Sequence, residues 1–306
     1  MKFKSLSELM ETYNTEDKCH QYFVSSRWSY GIRCPHCGNH EAEKKIDTFK
    51  NKLFKCGACR KQFTVRIGTF LGDTKISYRQ WLAAIFLVTS HKKGLSSIQL
   101  AKDIGVTQKT AWFMLQRMFY ITSGGNNNNK LSGTVEIDET YVGGKEVNKH
   151  KSKKTTEYNK IQGDKAIIIG MIERGGDLVM KKFNKLNKIN VKPIIDQHIS
   201  DTAIVNTDES TIYKGALSGR ERRIVNHKAK QYVNGEDTTN RIEGSFAHFK
   251  RMVNGIHHWL SHRHIQKYTN MFCFRWNTKK LDEHSRIDLF LSNIADTRIM
   301  YKEVIA

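Results

Sequence analysis

The sequence Cys34-Pro-His-Cys37 is followed, after 18 residues, by Cys56-Gly-Ala-Cys59. Two C-x2-C pairs at this spacing are typical of a zinc ribbon, in which the thiolates of Cys34, Cys37, Cys56 and Cys59 hold one structural Zn²⁺. Apolar and β-branched residues at 53–54 and 63–65 flank the second pair and predict the strands of its hairpin. Two disulfides are the alternative use of the four cysteines, and His36 is a rival ligand.

The composition is strongly basic. The 306 residues include 51 Lys and Arg against 30 Asp and Glu, a formal charge of +21, which indicates a polyanionic partner such as nucleic acid. The longest apolar run, residues 81–88, is too short to cross a membrane and predicts a buried helix. With a polar N-terminus and cysteines at metal spacing, we expect a cytoplasmic, nucleoid-associated protein in a reducing compartment.

A helical segment at residues 71–122 follows the ribbon domain of residues 1–70. Leu100, Ala101 and Ile104 form a short apolar face, Gly105 permits a tight turn, and Thr107 caps a new helix. This pattern predicts a helix-turn-helix. The exposed start of its second helix, where base edges are read, carries Gln108, Lys109 and Thr110. A plain three-helix spacer is the alternative.

A Gly- and Asn-rich linker at residues 123–130 leads into a domain at 131–306 that begins with β-strands. The pattern predicts strands at 133–138, 166–172, 178–183 and 203–208, and helices at 191–199 and 239–254. Asp138 and Asp208 each end a predicted strand, and Glu243 lies on the last of these helices. Three such carboxylates can hold two divalent ions, with Mg²⁺ preferring oxygen ligands. Taken singly, a strand-end Asp is usually a cap or turn residue.

Helix and strand geometry indicates which side chains lie near the three carboxylates. Glu243 and Lys250 are seven residues apart, so they point within about 20° of each other on a helix, and Lys250 is placed to contact a DNA phosphate. A solvated lysine is the alternative. Glu139 and Glu209 are expected on the opposite face of their strands from Asp138 and Asp208, and therefore rank below them.

The chain resembles the bacterial insertion-sequence transposases of the ISXO type. The resemblance covers nearly the whole chain and is carried, besides the two cysteine pairs, by residues 27–28, 68–69 with Trp81, 136–144, 207–209, 225–227, 239–243, 249–251 and 274–277. It implies an α+β multidomain protein with a zinc ribbon ahead of an α/β RNase H-like domain, whose mixed sheet is flanked by helices. It also implies a D-D-(E or N)-K site at Asp138, Asp208, Glu243 and Lys250.

The resemblance further implies a DDE-type DNA transposase that binds transposon ends, cleaves DNA and joins the 3′-ends to target DNA with two Mg²⁺ or Mn²⁺ ions. Its expected partners are double-stranded terminal repeats, target DNA and further copies of the chain on DNA. Asn240, Arg251 and His227 are further candidate DNA contacts, although His227 equally suits a structural role. The alternatives are a domesticated DNA-binding regulator without catalysis and an RNase H-like nuclease.

Overall fold

The computed structural model describes residues 3–41, 45–49, 52–122, 130–143, 165–225, 238–292, 294–295 and 297–305. The chain divides into two compact units, one formed by Met1–Gly125 with Lys280–Ala306 and the other by Asn126–Lys279. The expected linker at 123–130 falls almost entirely outside the described residues. Within the described part of the chain, no helix is long and apolar enough to cross a membrane.

The first unit opens with helices α1 (Leu6–Thr12) and α2 (Glu16–Arg27), followed by a small antiparallel sheet. Its strands are β1 (Ile46–Phe49), β2 (Leu53–Cys56) and β3 (Gln62–Phe63), in the order β1-β2-β3. Phe54 and Phe63 face each other across β2 and β3 with ring centroids 5.4 Å apart, and Trp28 contacts both rings edge-on. The predicted hairpin is confirmed, and β1 adds a strand that was not predicted.

Three helices follow in the same unit: α3 (Tyr78–Ser90), α4 (Ser97–Ile104) and α5 (Gln108–Ile121). Glu16 on α2 accepts hydrogen bonds from the backbone N–H groups of Tyr78 and Arg79, at 2.7 and 3.1 Å, which ties α3 to the ribbon's leading helix. Gly105 ends α4 in the left-handed conformation with φ 69°, and the Thr107 hydroxyl accepts from the Thr110 N–H at the start of α5. The predicted turn, cap and buried apolar face are confirmed.

The second unit is built on a five-stranded mixed sheet. Its strands are β4 (Thr134–Val142), β5 (Ala166–Glu173), β6 (Leu178–Phe183), β7 (Ile204–Thr207) and β8 (Glu221–Ile224). The order is β6-β5-β4-β7-β8, with β4, β5 and β6 antiparallel and β7 and β8 parallel to β4. This is the strand arrangement of an RNase H-like domain, as expected. The short edge strand β8 was not predicted.

Helices cover both faces of this sheet. They are α6 (Lys188–His198), α7 (Thr211–Ala216), α8 (Asn240–Met252), which continues into a π-helical turn at Val253–His257, and α9 (Ile265–Asn277). Val135 and Ile137 of β4 pack with α6 and α7 in one apolar core, whereas residues of alternate register face α8. Gln266 and Asn277 of α9 hydrogen-bond the backbone of β6, so that this sheet edge is covered.

The carboxyl end of the chain differs from expectation. The domain expected at 131–306 ends at Lys279, and the following helices α10 (Glu283–Leu291) and α11 (Tyr301–Ile305) belong to the first unit. The reason lies in the contacts of α10. Tyr22 of α2 donates to Asp288 at 2.5 Å, and Phe290 is buried edge-on against Phe70.

Candidate active site and zinc centre

The four predicted zinc ligands come together. The sulfur atoms of Cys34, Cys37, Cys56 and Cys59 all lie within 4.8 Å of one another, with Cys34–Cys59 and Cys37–Cys56 separations of 3.7 Å. Four thiolates at about 2.3 Å around a tetrahedral Zn²⁺ would be about 3.8 Å apart, whereas a disulfide requires about 2.05 Å. All four are free cysteines, so the disulfide alternative is excluded and the cluster fits a structural zinc ion.

The two knuckles have the same backbone design. The N–H of Gly38 donates to the carbonyl of Cys34 at 2.9 Å, and the N–H of Arg60 donates to that of Cys56 at 2.8 Å, with both donor residues at positive φ. Hydrogen bonds to its sulfur, that from the N–H of Cys59 first, lower the pKa of the Cys56 thiol to about 7, whereas burial raises the pKa of the Cys34 thiol to about 12; a bound metal would have to displace the Cys34 proton. His36 instead contacts the carbonyl of Gln62 at 3.3 Å and is not part of the cluster.

A second cluster lies on the large sheet and consists of carboxylates. Asp138, Glu139 and Asp208 each place an oxygen within 4.8 Å of the other two. Strand register explains the meeting: β4 and β7 run parallel and pair up to Glu136 and Asn206, so Asp138 and Asp208 both lie two residues beyond that pair. Neighbouring parallel strands therefore present their acids at the same edge.

One strand boundary was predicted wrongly. The strand expected to end at Asp138 continues to Val142, because β4 keeps pairing with β5 after its pairing with β7 has ended. Asp138 is thus inside β4, directly opposite Gly170 of β5. Asp208 does follow the end of its strand, as expected.

The electrostatics of the site are those of crowded negative charge. The pKa of Asp138 is raised to about 7: burial is the largest cause, the N–H of Glu139 opposes it by donating to Asp138 at 2.8 Å, and the carboxylates of Glu139, Asp208 and Glu243 add to the increase. Burial also raises the pKa of Glu139. A divalent cation would relieve this repulsion, and carboxylate oxygens are the ligands that Mg²⁺ and Mn²⁺ prefer.

Glu139 was expected on the opposite face of β4 from Asp138 and therefore to rank below it; its face is the expected one, but its carboxylate still reaches the cluster. This carboxylate accepts a 2.6 Å hydrogen bond from the hydroxyl of Tyr213, a buried residue of α7. Glu139 lies on the α7 side of the sheet, as Ile137 does, but its side chain is long enough to bring a carboxylate oxygen close to those of Asp138 and Asp208. Glu209 is not among the three clustered carboxylates.

Helix α8 carries the remaining predicted residues of this site. Glu243 lies in its first turn, accepts from the Thr239 hydroxyl at 3.1 Å, and is close enough to raise the pKa of Asp138, although it is outside the 4.8 Å group. Lys250, Asn240 and Arg251 are exposed on the same helix. His227 lies outside the described residues.

The predicted base-reading residues lie at the start of α5. Gln108 and Lys109 are exposed and Thr110 is half-buried. Gln108 donates to the hydroxyl of Ser97 on α4 at 2.8 Å, and the hydroxyls of Thr110 and Thr107 are 2.8 Å apart.

Sequence reasoning missed four residues that shape the site: Glu136, Gly170, Arg174 and Asn206. Glu136 and Asn206 are fully buried polar side chains within strands, and nothing in their apolar surroundings singles them out. Gly170 did carry a signal, since a glycine inside an apolar strand indicates close approach of another element.

Two family models match the chain. Residues 14–62 match the transposase zinc-ribbon domain, and residues 130–277 match the ISXO2-like transposase domain. These ranges contain the four-cysteine cluster and the carboxylate cluster, and the second ends two residues before the boundary of the second unit. No curated protein matches the chain. The chain thus matches a transposase zinc ribbon and an ISXO2-like transposase domain in this order, which confirms the resemblance to the insertion-sequence transposases of the ISXO type.

Proposed function

We propose that the protein cleaves DNA at the ends of its element and joins the resulting 3′-ends to target DNA, with Asp138, Asp208 and Glu243 as the metal-binding residues. One observation carries the proposal: acids from two neighbouring strands place their carboxylates within 4.8 Å, beside the helix that bears a third acid. A chain of the ISXO type is expected to act on DNA, and its formal charge of +21 suits that partner.

The donor set fits Mg²⁺ or Mn²⁺. When bound, two such ions would activate the attacking water or 3′-hydroxyl and stabilise the leaving oxygen of an in-line phosphoryl transfer. The chain's own part is to supply anionic oxygens in a fixed arrangement. Asp138 must lose its proton before it can bind a metal ion. Glu139 lies beside Asp138 and accepts a 2.6 Å hydrogen bond from the hydroxyl of Tyr213.

The exposed face of α8 would position the DNA backbone. Lys250 lies nearly two turns after Glu243 on this helix, so its ammonium group is available to a phosphate beside the carboxylates. Asn240 and Arg251, also exposed, extend the polar and basic surface in both directions along the helix. Such contacts fix the register of DNA but carry no sequence information.

Recognition of the element's ends is assigned to the first unit. Gln108, Lys109 and Thr110 begin α5, and the turn at Gly105 between α4 and α5 supports the proposed helix-turn-helix. Side chains at the start of a second helix are the ones that reach base edges in the major groove. Because joining requires both ends of the element together, we expect several copies of the chain to act on one DNA complex.

A strand-transfer assay tests the proposal. Duplexes that carry the flanking terminal repeats are incubated with the protein, Mg²⁺ and a target plasmid, and cleaved ends and joined products are measured separately. Wild-type protein should yield both, and Asp138→Asn should yield neither while binding the duplex normally. Asp201→Asn, which removes an exposed carboxylate before the start of β7, is the control and should behave as wild type.

The assay also separates the alternatives. Duplex binding without any cleavage by wild-type protein would indicate a regulator. Cleavage of random and terminal-repeat duplexes at equal rates, without joining, would indicate a nuclease. Wild-type joining by Asp138→Asn would remove the basis of the mechanism.

A further inference from the structure

The start of α8 is held by the sheet in addition to one local bond, in which the hydroxyl of Thr238 accepts from the N–H of Asn240 at 3.0 Å. Thr239, at the N-cap position, makes no side-chain capping bond to the helix backbone. Instead, Oε2 of Glu136 on β4 accepts hydrogen bonds from the backbone N–H groups of Arg241 and Ile242, at 2.9 and 3.2 Å. Glu136 is fully buried, so its carboxylate satisfies first-turn donors and lies at the positive end of the helix dipole.

A second buried side chain holds the residues just before the helix. Asn206 on β7 is buried, and its side-chain amide is assigned with the oxygen toward Thr238 and Arg174. In this orientation the oxygen accepts hydrogen bonds from the Thr238 N–H at 3.3 Å and from Nη2 of Arg174 at 3.1 Å. Arg174 also donates from Nε to Oε1 of Glu136 at 3.2 Å. Glu136, Asn206 and Arg174 therefore form one connected network, called here the helix anchor.

The helix anchor is built into the two strands that carry the aspartates. Glu136 and Asn206 are direct partners in the β4–β7 ladder, and each comes two residues before an aspartate, Asp138 or Asp208. Because side chains alternate along a strand, Glu136 and Asp138 face the same side of β4, the side on which α8 lies. Gly170, opposite Asp138, leaves the room that Ile242 and Phe246 of α8 occupy.

We propose that the helix anchor positions Glu243 against Asp138 and Asp208, so that strand register and helix placement are fixed by the same residues. This inference rests on the proposed function of those three acids. Glu136, Asn206 and Arg174 would be positioning residues, acting only through α8. A buried ion pair contributes little net stability compared with apolar packing, but a network of directed hydrogen bonds selects one helix position.

The test compares Glu136→Gln with wild type in the full-length chain. Glutamine keeps the shape but has a single acceptor oxygen, so it cannot accept from the α8 N–H groups and from Arg174 at the same time, and the first turn of α8 should loosen. Three results are expected: faster amide hydrogen exchange in peptides covering 240–246, a half-saturating Mg²⁺ concentration raised by about 10–100-fold, and a cleavage kcat lowered by up to about 100-fold. The KM for terminal-repeat DNA should be unchanged.

Arg220→Gln is the matched control. Arg220 is a buried arginine of the same unit that bonds Asp196, Asp201 and the carbonyls of Ile199 and Ser200, before the start of β7 and away from the aspartate edge. The Arg220→Gln substitution should lower the melting temperature without changing the half-saturating Mg²⁺ concentration or the amide hydrogen exchange of peptides covering 240–246. If Glu136→Gln does not fold, Arg174→Gln replaces it, because the Arg174 side chain is 22% exposed and its loss is milder.

The outcomes are distinguishable. Wild-type exchange, Mg²⁺ dependence and kcat in Glu136→Gln would overturn the helix anchor, as would equal losses in Arg220→Gln, which would indicate general destabilisation. Mg²⁺ half-saturation is measured from the thermal shift of the protein without DNA. If wild-type protein does not cleave DNA, the proposed function fails while the exchange and metal measurements still decide the inference.

Discussion

Gly170→Ala should separate α8 from the sheet at the position of the candidate active site. A Cβ at residue 170 would lie 2.5 Å from Cδ1 of Ile242 and 2.7 and 2.8 Å from two ring carbons of Phe246. Ordinary carbon contacts are about 3.5–4.0 Å, so the helix side chains must retreat by about 1 Å. Since Gly170 pairs directly with Asp138, the displacement falls beside the clustered carboxylates.

The size of the effect follows from overpacking. Adding a methyl group to a closely packed contact costs about 1–3 kcal/mol, which for a chain of this size lowers the melting temperature by roughly 2–10 °C. The catalytic effect should be larger than the stability effect. A shift of about 1 Å in a positioned group can cost about 100-fold in rate, and Glu243 lies next to Ile242 on the displaced turn.

Thermal unfolding and single-turnover cleavage of a terminal-repeat duplex measure the two effects. Gly244→Ala is the control, because a Cβ there meets nothing within 4 Å and alanine within a helix is favoured by about 0.5–1 kcal/mol. It should melt at or above the wild-type temperature. Wild-type stability and cleavage in Gly170→Ala, or equal destabilisation by both substitutions, would refute the close approach of α8 to β5.

Three other predictions concern the zinc centre, DNA recognition and pH. Purified protein should contain about one Zn²⁺ per chain, and Cys56→Ser should lose the metal and melt at a lower temperature; a metal-free ribbon that stays folded would contradict this. Joint replacement of Gln108, Lys109 and Thr110 by Ala should abolish the preference for terminal-repeat over random duplex in a binding competition; an unchanged preference in the folded variant would reassign recognition. Because folding raises the pKa of Asp138 to about 7, the folded chain keeps a proton that the unfolded chain releases near pH 4, so stability without Mg²⁺ should fall as pH rises between these values. The thermal shift produced by Mg²⁺ should grow over the same range, and Asp138→Asn should remove both dependences; pH-independent shifts in wild type would contradict the assignment.

The zinc ribbon was predictable because its information is local. Cysteine spacing sets the knuckles, and flanking aromatic residues set the strands, so a short window contains both the ligands and the hairpin. The same holds for Thr107 and Gly105, whose cap and turn depend on neighbours a few residues away. The strand β1 escaped prediction because its sequence, Ile-Asp-Thr-Phe, is too short for a clear alternation.

The candidate active site was predictable only in part, since it depends on pairing between distant segments. Asp138 and Asp208 could be placed near strand ends, but the continuation of β4 depends on its long register with β5. Glu139 was ranked too low because strand alternation fixes the direction of its Cβ and not how far its carboxylate reaches. Helix α10 belongs to the first unit because Phe290 packs against Phe70, and a contact between residues so far apart in the sequence cannot be predicted from a local pattern.

The most direct measurement is diffraction from crystals of the protein grown with Mn²⁺ and a duplex terminal-repeat end, recorded at the manganese absorption edge. Anomalous density should mark Mn²⁺ between Asp138 and Asp208, with Glu243 drawn within ligand distance and two ions about 3.5–4 Å apart. The same crystals of Asp208→Asn should lose that density while keeping the DNA. Manganese bound elsewhere with the carboxylate cluster empty, or an unchanged peak in Asp208→Asn, would contradict the account.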